Sequence, residues 1–332
     1  MEAFSYIQAG TPQQAIAEGA KTPTAQLNAT VRYVAGGTNL LDLMKLNVER
    51  PTSVVDINRL GLDKIEELPG GGLRLGALTR NTDVAHHPVV QRDYAVLSEA
   101  ILSGASPQIR NMATTGGNLL QRTRCVYFRA TEHRCNKRAP GSGCDALDGH
   151  NRMLAILGTS EHCIATNPSD QNVALTALEA TVHITGPKGE RSVPVAEFYF
   201  KPGATPNIET VLQPGDVITA VTLPPVAPGT KSHYLKLRDR AAYEFALASA
   251  AVVAQTANGH LTRVRVALGG VGTVPWRSRE AEHILEGKAA SPELFHQAAE
   301  AALKGAKPRK ENAFKVDLAQ RCLTHALTTV TA

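Results

Sequence analysis

The sequence of 332 residues contains no apolar run near the roughly 18–20 residues that cross a membrane, so no membrane segment is predicted. Its first six residues, MEAFSY, have neither a basic nor an apolar stretch, so no signal peptide is predicted. Internal repeats, low-complexity tracts and disordered tails are also missing. With 43% hydrophobic and 20% charged residues, the composition is typical of a globular protein of two or three domains.

Cysteine is scarce and unevenly placed. There are five, and four of them fall within 39 residues, at Cys125, Cys135, Cys144 and Cys163; the fifth is Cys322. An odd number with this clustering argues against a secreted disulfide framework and favours a metal or cluster site.

The sequence also lacks a basic segment of the kind that binds nucleic acid. Its net charge is +5, but Lys and Arg are spread along the chain, with one local excess at 122–138. We therefore expect no nucleic-acid partner, because a mildly basic surface is typical of a soluble protein or of one with an acidic partner.

Helix and strand signals alternate along most of the chain. Thr11 and Pro12 predict a capped helix start, and 89–103, 173–179 and 245–255 are predicted as helices. A long loop-rich stretch covers 106–172, and a Pro-rich boundary covers 224–229. Three last helices are predicted to start near Ser278, Ser291 and Phe314. Strands are predicted at 31–35, 53–57, 73–78, 181–185, 217–223, 233–237 and 261–268.

Two glycine-bearing loops could hold an anion. Residues 35–40, AGGTNL, join a strand to a helix, and residues 109–119, IRNMATTGGNL, again combine Thr, Gly-Gly and Asn. Glycine lets backbone N–H groups approach a phosphate, although a Gly-Gly pair also makes a plain tight turn. Neither loop fits a Walker A or Rossmann motif. Two such loops together favour a dinucleotide.

The cysteine spacing, C-x9-C-x8-C-x18-C, lacks the paired knuckles of a structural zinc site. An iron–sulfur cluster suits it better, and zinc or free thiols remain open. Nearby cations would stabilise a reduced cluster; alternatively they form a solvated loop or a docking face for an acidic partner. These cations are Arg122, Arg124, Arg129, Arg134, Lys137 and Arg138.

Together the two loops resemble the FAD loops of the flavoprotein subunits of molybdenum hydroxylases such as xanthine dehydrogenase and carbon monoxide dehydrogenase. Residues 168–170 (PSD) ahead of a helix, residues 215–224 (GDVITAVTLP) and Lys236 also resemble family motifs. The resemblance implies an α+β fold, with a two-lobed FAD-binding domain at 1–225 and a C-terminal α/β domain at 226–332. The lobes cover about 1–55 and 56–225, and an insertion at 121–163 carries the cysteines.

The resemblance also implies residue roles, none of them catalytic. Asp170 would bind ribityl or ribose hydroxyls, or cap the next helix. Ile218 would pack on the isoalloxazine, or be a core residue. Lys236 would stabilise the reduced ring, or be a solvated lysine. Asn39 stands where relatives often have Asp, which suits a diphosphate. The two loops would bind FAD through Ala35, Gly36, Gly37, Thr38, Asn39, Leu40, Thr114, Thr115, Gly116, Gly117 and Asn118.

Residues 135–149 resemble the insertion of bacterial aldehyde oxidoreductase flavin subunits that bind a [4Fe–4S] cluster, and hydroxybenzoyl-CoA reductase flavin subunits carry a comparable one. This implies that Cys125, Cys135, Cys144 and Cys163 bind the cluster. Cys322 is interpreted as a buried apolar residue.

The implied function is electron transfer within a molybdenum-dependent aldehyde oxidoreductase. A large molybdenum-cofactor subunit would oxidise the substrate, and a small subunit with two [2Fe–2S] clusters would pass electrons to FAD and an external acceptor. Alternatives are a hydroxybenzoyl-CoA reductase-like or xanthine dehydrogenase-like subunit, a stand-alone FAD oxidase, or a zinc-stabilised binding module. A periplasmic location is expected, reached with a signal-bearing partner; the cytoplasm is the alternative.

Overall fold

The computed structural model describes residues 1–332 and contains three sheets. The first sheet is parallel, with strand order β1-β3-β2, and two helices connect its strands. Its elements are β1 (Ser5–Gln8), α1 (Pro12–Gly19), β2 (Val31–Val34), α2 (Leu40–Lys45) and β3 (Ser53–Asp56).

The second sheet is antiparallel, with order β4-β5-β8-β6-β7. Its strands are β4 (Ile65–Glu67), β5 (Leu73–Gly76), β6 (Thr181–Gly186), β7 (Gly189–Pro194) and β8 (Val217–Leu223). The helices of this part are α3 (Asn81–His86), α4 (Pro88–Asp93), α5 (Ala95–Ser103), α6 (Pro107–Arg110), α7 (Thr115–Leu119), α8 (Val126–Arg129), α9 (Asp170–Ala177) and α10 (Val195–Phe198).

The third sheet is antiparallel, with order β12-β11-β10-β9, and three helices cover one of its faces. Its elements are β9 (Thr230–Leu237), β10 (Ala248–Ala257), β11 (His260–Gly269), β12 (Trp276–Arg277), α11 (Arg279–Leu285), α12 (Pro292–Leu303) and α13 (Lys315–Thr331). None of the helices combines the length and hydrophobicity that a membrane span requires.

Helix starts are the best predicted feature. Thr11, Ser278 and Ser291 are the N-caps of α1, α11 and α12, and the side chain of each accepts a hydrogen bond from a backbone N–H one turn ahead. The helix predicted at 89–103 is in fact two helices, since the backbone turns at Tyr94.

The helix predicted at 245–255 is wrong, because most of this segment is strand β10. Its side chains alternate between two hydrophobic cores: Ala250 and Val252 pack under the C-terminal helices, while Ala251 packs in the core of the second sheet. A strand paired on both sides and buried on both faces does not alternate polar and apolar residues. The sequence of such an Ala-rich strand therefore resembles that of a helix.

The cysteine-bearing insertion has a small core of its own. Phe128, Leu154 and Ile164 pack there with the buried cysteines and against Leu43 of α2. The far end of the insertion reaches the loop after β11, where the N–H groups of residues 156 and 157 both donate to Val271 O. The insertion therefore links helix α2 to the loop after β11.

Candidate functional site

The two glycine loops touch each other in the structure. A Cβ added to Gly36 would lie only 1.9 Å from the carbonyl oxygen of Met112, so the loops approach backbone to backbone. Gly37 has a φ of +71°, a conformation that favours glycine. Both loops line one cavity of about 270 Å³, close to the range of small-molecule sites, about 300–1,000 Å³.

Most of the predicted flavin residues face this cavity. The strand–helix loop contributes all six of its predicted residues, and the second loop contributes Thr114, Gly116 and Gly117. Ile218 lines the cavity from β8. The structure thus brings ten of the fourteen predicted residues to one site. The six from the strand–helix loop are Ala35, Gly36, Gly37, Thr38, Asn39 and Leu40.

Two buried donors in the cavity wall have no hydrogen-bond partner. They are Nδ2 of Asn39 and Nη2 of Arg122. Asn39 is held in place because its Oδ1 accepts a hydrogen bond from the backbone N–H of Arg122, at 2.8 Å. Unpaired buried donors are costly, and an anionic ligand would satisfy them. These residues therefore fit the diphosphate of FAD.

The other predicted residues do not line the cavity. Oγ1 of Thr115 donates to Thr79 O, and Nδ2 of Asn118 donates to Gln171 Oε1 at 3.1 Å. Oδ1 of Asn118 accepts a hydrogen bond from Ser169, the N-cap of α9. Both side chains therefore support the second loop on the side away from the cavity. Their direct contact with FAD stays a prediction.

Asp170 and Lys236 form a buried ion pair. Nζ of Lys236 lies 2.8 Å from Oδ2 of Asp170, and the Tyr234 hydroxyl donates to Oδ1 at 2.6 Å. The helix N-cap is Ser169, not Asp170, and Lys236 is not solvated, since 2% of its side chain is exposed. Asp170 faces a second cavity of about 170 Å³, which shares residues 166–168 with the first.

We expect Asp170→Ala to destabilise the protein by about 3–5 kcal/mol, because it leaves the Lys236 ammonium buried without its partner. The free energy of unfolding in urea is the measurement. The double variant Asp170→Ala, Lys236→Met is the control and should recover much of the loss. A change below about 1 kcal/mol in the single variant would contradict this account of the pair.

The four clustered cysteines surround one small cavity inside the insertion. Cys125, Cys135 and Cys163 are buried, and Cys144 is partly buried. Cys135 and Cys144 lie opposite each other in an isolated antiparallel bridge, and the Ala165 N–H donates to Sγ of Cys163 at 3.4 Å. No three His, Cys, Asp or Glu side chains converge as ligands of a single ion. A [4Fe–4S] cluster is held by four thiolates, so these four thiols match its ligands in kind and number.

Burial changes the chemistry of these thiols. It raises the pKa of Cys125 to about 12 and the pKa of Cys163 to about 11. Both groups therefore stay protonated near neutral pH unless a metal displaces the proton. Cys322 lies on the buried face of α13, where burial likewise raises its pKa to about 12, as expected of a structural thiol.

The six cations of 122–138 do not form a basic docking face. Most are bonded within the molecule: Arg129 pairs with Asp42, and Arg138 donates to backbone carbonyls of the insertion, while Arg134 pairs with Asp145 at the surface. Arg124 stacks over the ring of Phe245 and donates to a backbone carbonyl. These cations therefore order the insertion and fasten it to its neighbours.

A charged wall separates the flavin cavity from the cysteine cavity. Arg122 bridges Glu49 and Glu209, and Nζ of Lys137 lies 2.7 Å from Oε1 of Glu209. Lys137 and Cys163 line both cavities. Glu49 and Glu209 were not predicted as site residues, since their partners lie far away in sequence and no local pattern marks them.

Comparisons with known proteins agree over the whole chain. Residues 2–226 match the FAD binding domain in molybdopterin dehydrogenase, and residues 233–330 match the CO dehydrogenase flavoprotein C-terminal domain. The chain is 52% identical to the aldehyde oxidoreductase FAD-binding subunit of Escherichia coli K12, over 98% of both chains. It is 29% identical to the carbon monoxide dehydrogenase medium chain of Hydrogenophaga pseudoflava, over 86% of this chain and 83% of that one.

Solved structures agree with this result. A carbon monoxide dehydrogenase from Hydrogenophaga pseudoflava, which lacks the Mo-pyranopterin moiety of its cofactor, matches with a TM-score of 0.77 and 27% identity. The match covers 99% of this chain and 97% of that one.

Proposed function

Because this chain belongs to the FAD-binding medium subunits of the molybdenum hydroxylases, we propose that it is the electron-transfer subunit of an aldehyde oxidoreductase and carries a [4Fe–4S] cluster beside its flavin. Family membership confirms the predicted α+β fold class and the role as an oxidoreductase subunit. One observation carries the proposal of a cluster: four cysteines surround a cavity that shares Cys163 and Lys137 with the flavin cavity.

The residues of this chain would hold and shield the flavin. The two glycine loops, with Asn39 and Arg122, would hold the diphosphate through the unpaired donors described above. Ile218 and Tyr199 line the same cavity, and the Tyr199 hydroxyl is held by Leu119 O at 2.9 Å, which fixes the ring. FAD, when bound, accepts electrons singly and delivers them in pairs, and the protein positions it and tunes its potential.

The substrate chemistry belongs to partner chains in this proposal. A large molybdenum-cofactor subunit would oxidise an aldehyde, and a small subunit with two [2Fe–2S] clusters would pass electrons to this chain. The support is the 52% identity with a subunit named for aldehyde oxidation and the likeness to a carbon monoxide dehydrogenase medium chain. We further propose that the folded complex is exported to the periplasm by a partner's signal.

Rapid mixing of the purified complex with an aldehyde tests this function. We expect the flavin absorbance near 450 nm to bleach in the complex, whereas the isolated chain with FAD should show no bleaching, since the substrate site lies in the large subunit. Bleaching of the isolated chain by the same aldehyde would indicate a stand-alone oxidase and would overturn the proposal.

A further inference from the structure

The wall between the two cavities contains a buried ion pair at its centre. Nζ of Lys137 donates to Oε1 of Glu209 at 2.7 Å and to the carbonyl oxygen of Pro206 at 3.0 Å. The exposed fractions of the Lys137 and Glu209 side chains are 10% and 22%. Lys137 comes from the insertion, whereas Glu209 comes from the segment before β8, so the pair joins two separate parts of the chain.

Lys137 also acts on the cysteines. Lys137 lines the cysteine cavity together with Cys163, and it lies two residues after Cys135 in the sequence. The ammonium is therefore within electrostatic range of a cluster ligand. Glu209 faces the ammonium and Arg122 together, and it offsets part of their positive charge.

Charges in a buried environment change a reduction potential strongly, because the surrounding dielectric screens them weakly. A [4Fe–4S] cluster gains one negative charge on reduction. A fixed cation beside it favours the reduced form, and a fixed anion favours the oxidised form. Of the six cations of 122–138, only Lys137 lines both cavities: Arg122 lines the flavin cavity alone, and Arg134 lines the cysteine cavity alone.

We propose that the buried ion pair of Lys137 and Glu209, which lies in the wall towards the flavin cavity, sets the reduction potential of the cluster. Lys137 raises the potential and Glu209 lowers it. The inference rests on the proposed function, since it requires the cluster to be present. Both residues would then tune the reduction potential of the cluster, a role that neither the glycine loops nor the cysteine spacing indicates.

The test is a reductive titration of the whole complex, followed by low-temperature EPR of the [4Fe–4S] signal, for wild type, Lys137→Met and Glu209→Gln. We expect Lys137→Met to decrease the ratio of reduced to oxidised cluster at a fixed potential by about tenfold, which equals about 59 mV for one electron. Glu209→Gln should increase this ratio by a similar factor. Lys304→Met, which removes an exposed lysine at the end of α12, is the control and should leave it unchanged.

Opposite shifts in the two variants support the inference, because a merely structural perturbation would not change sign with the charge removed. Unchanged potentials with intact clusters, or shifts in the same direction, overturn it. If Lys137→Met loses its cluster, the near-isosteric Glu209→Gln decides: a raised potential supports the inference, and any other result overturns it. A wild-type complex without a [4Fe–4S] signal would contradict the proposed function itself.

Discussion

Replacing Cys135 or Cys144 with Ser is expected to remove the cluster and to lower the affinity for FAD by at least about tenfold, or about 1.4 kcal/mol. The cysteines form part of the core that orders the insertion, and that core packs on Leu43 behind the first glycine loop. The backbone N–H at the start of the insertion also holds Asn39, which lines the flavin cavity. Because metal binding contributes directly to folding, an insertion without its cluster should lose order.

The measurements are the iron content, the FAD content and the amount of assembled complex of each variant. Cys322→Ser is a matched control, because it makes the same atomic change in a different core and should retain iron and flavin. A cluster-free variant with full FAD, normal assembly and only slower flavin reduction would contradict this account. It would show that the cluster is an obligatory electron relay rather than mainly a structural element.

Gly36→Val is expected to abolish FAD retention. Its Cβ would lie 1.9 Å from the carbonyl oxygen of Met112, so the two loops could no longer meet and the cavity between them would lose its shape. Gly117→Val should act on the second loop alone, because its Cβ would lie 2.9 Å from Thr114 Oγ1, which caps α7. Its effect should therefore be smaller.

Bound flavin after desalting is the measurement, read from its absorbance. Gly305→Ala is the control, since nothing lies within 4 Å of a Cβ at that position and no unusual φ is required there. We expect it to retain full flavin. Full FAD occupancy in folded Gly36→Val would show that the cavity between the two loops is not the flavin site.

Features encoded by a few neighbouring residues were predictable from the sequence. Thr11, Ser278 and Ser291 cap helices through bonds one turn ahead, so their patterns are local. The glycine loops are local too, because glycine is required wherever backbones approach closely or φ is positive. Their meeting at Gly36 and Met112, however, depends on packing between segments more than 70 residues apart in the sequence.

Features created by long-range contacts were not predictable from the sequence. Glu209 becomes a site residue only because the insertion brings Lys137 and Arg122 to it across more than 70 residues. The dense cations of 122–138 suggested a cluster environment or a docking face, yet most of them bond inside the molecule. Asp170 and Lys236 carried a family signal, but their pairing is visible only in the fold.

The most direct test of the central claim is the flavin and metal content of the purified protein. We predict about one FAD per copy and about four irons beyond those of any [2Fe–2S] partner, since four cysteine thiolates hold one [4Fe–4S] cluster. Stoichiometric zinc with no additional iron, or a protein without flavin, would contradict the account.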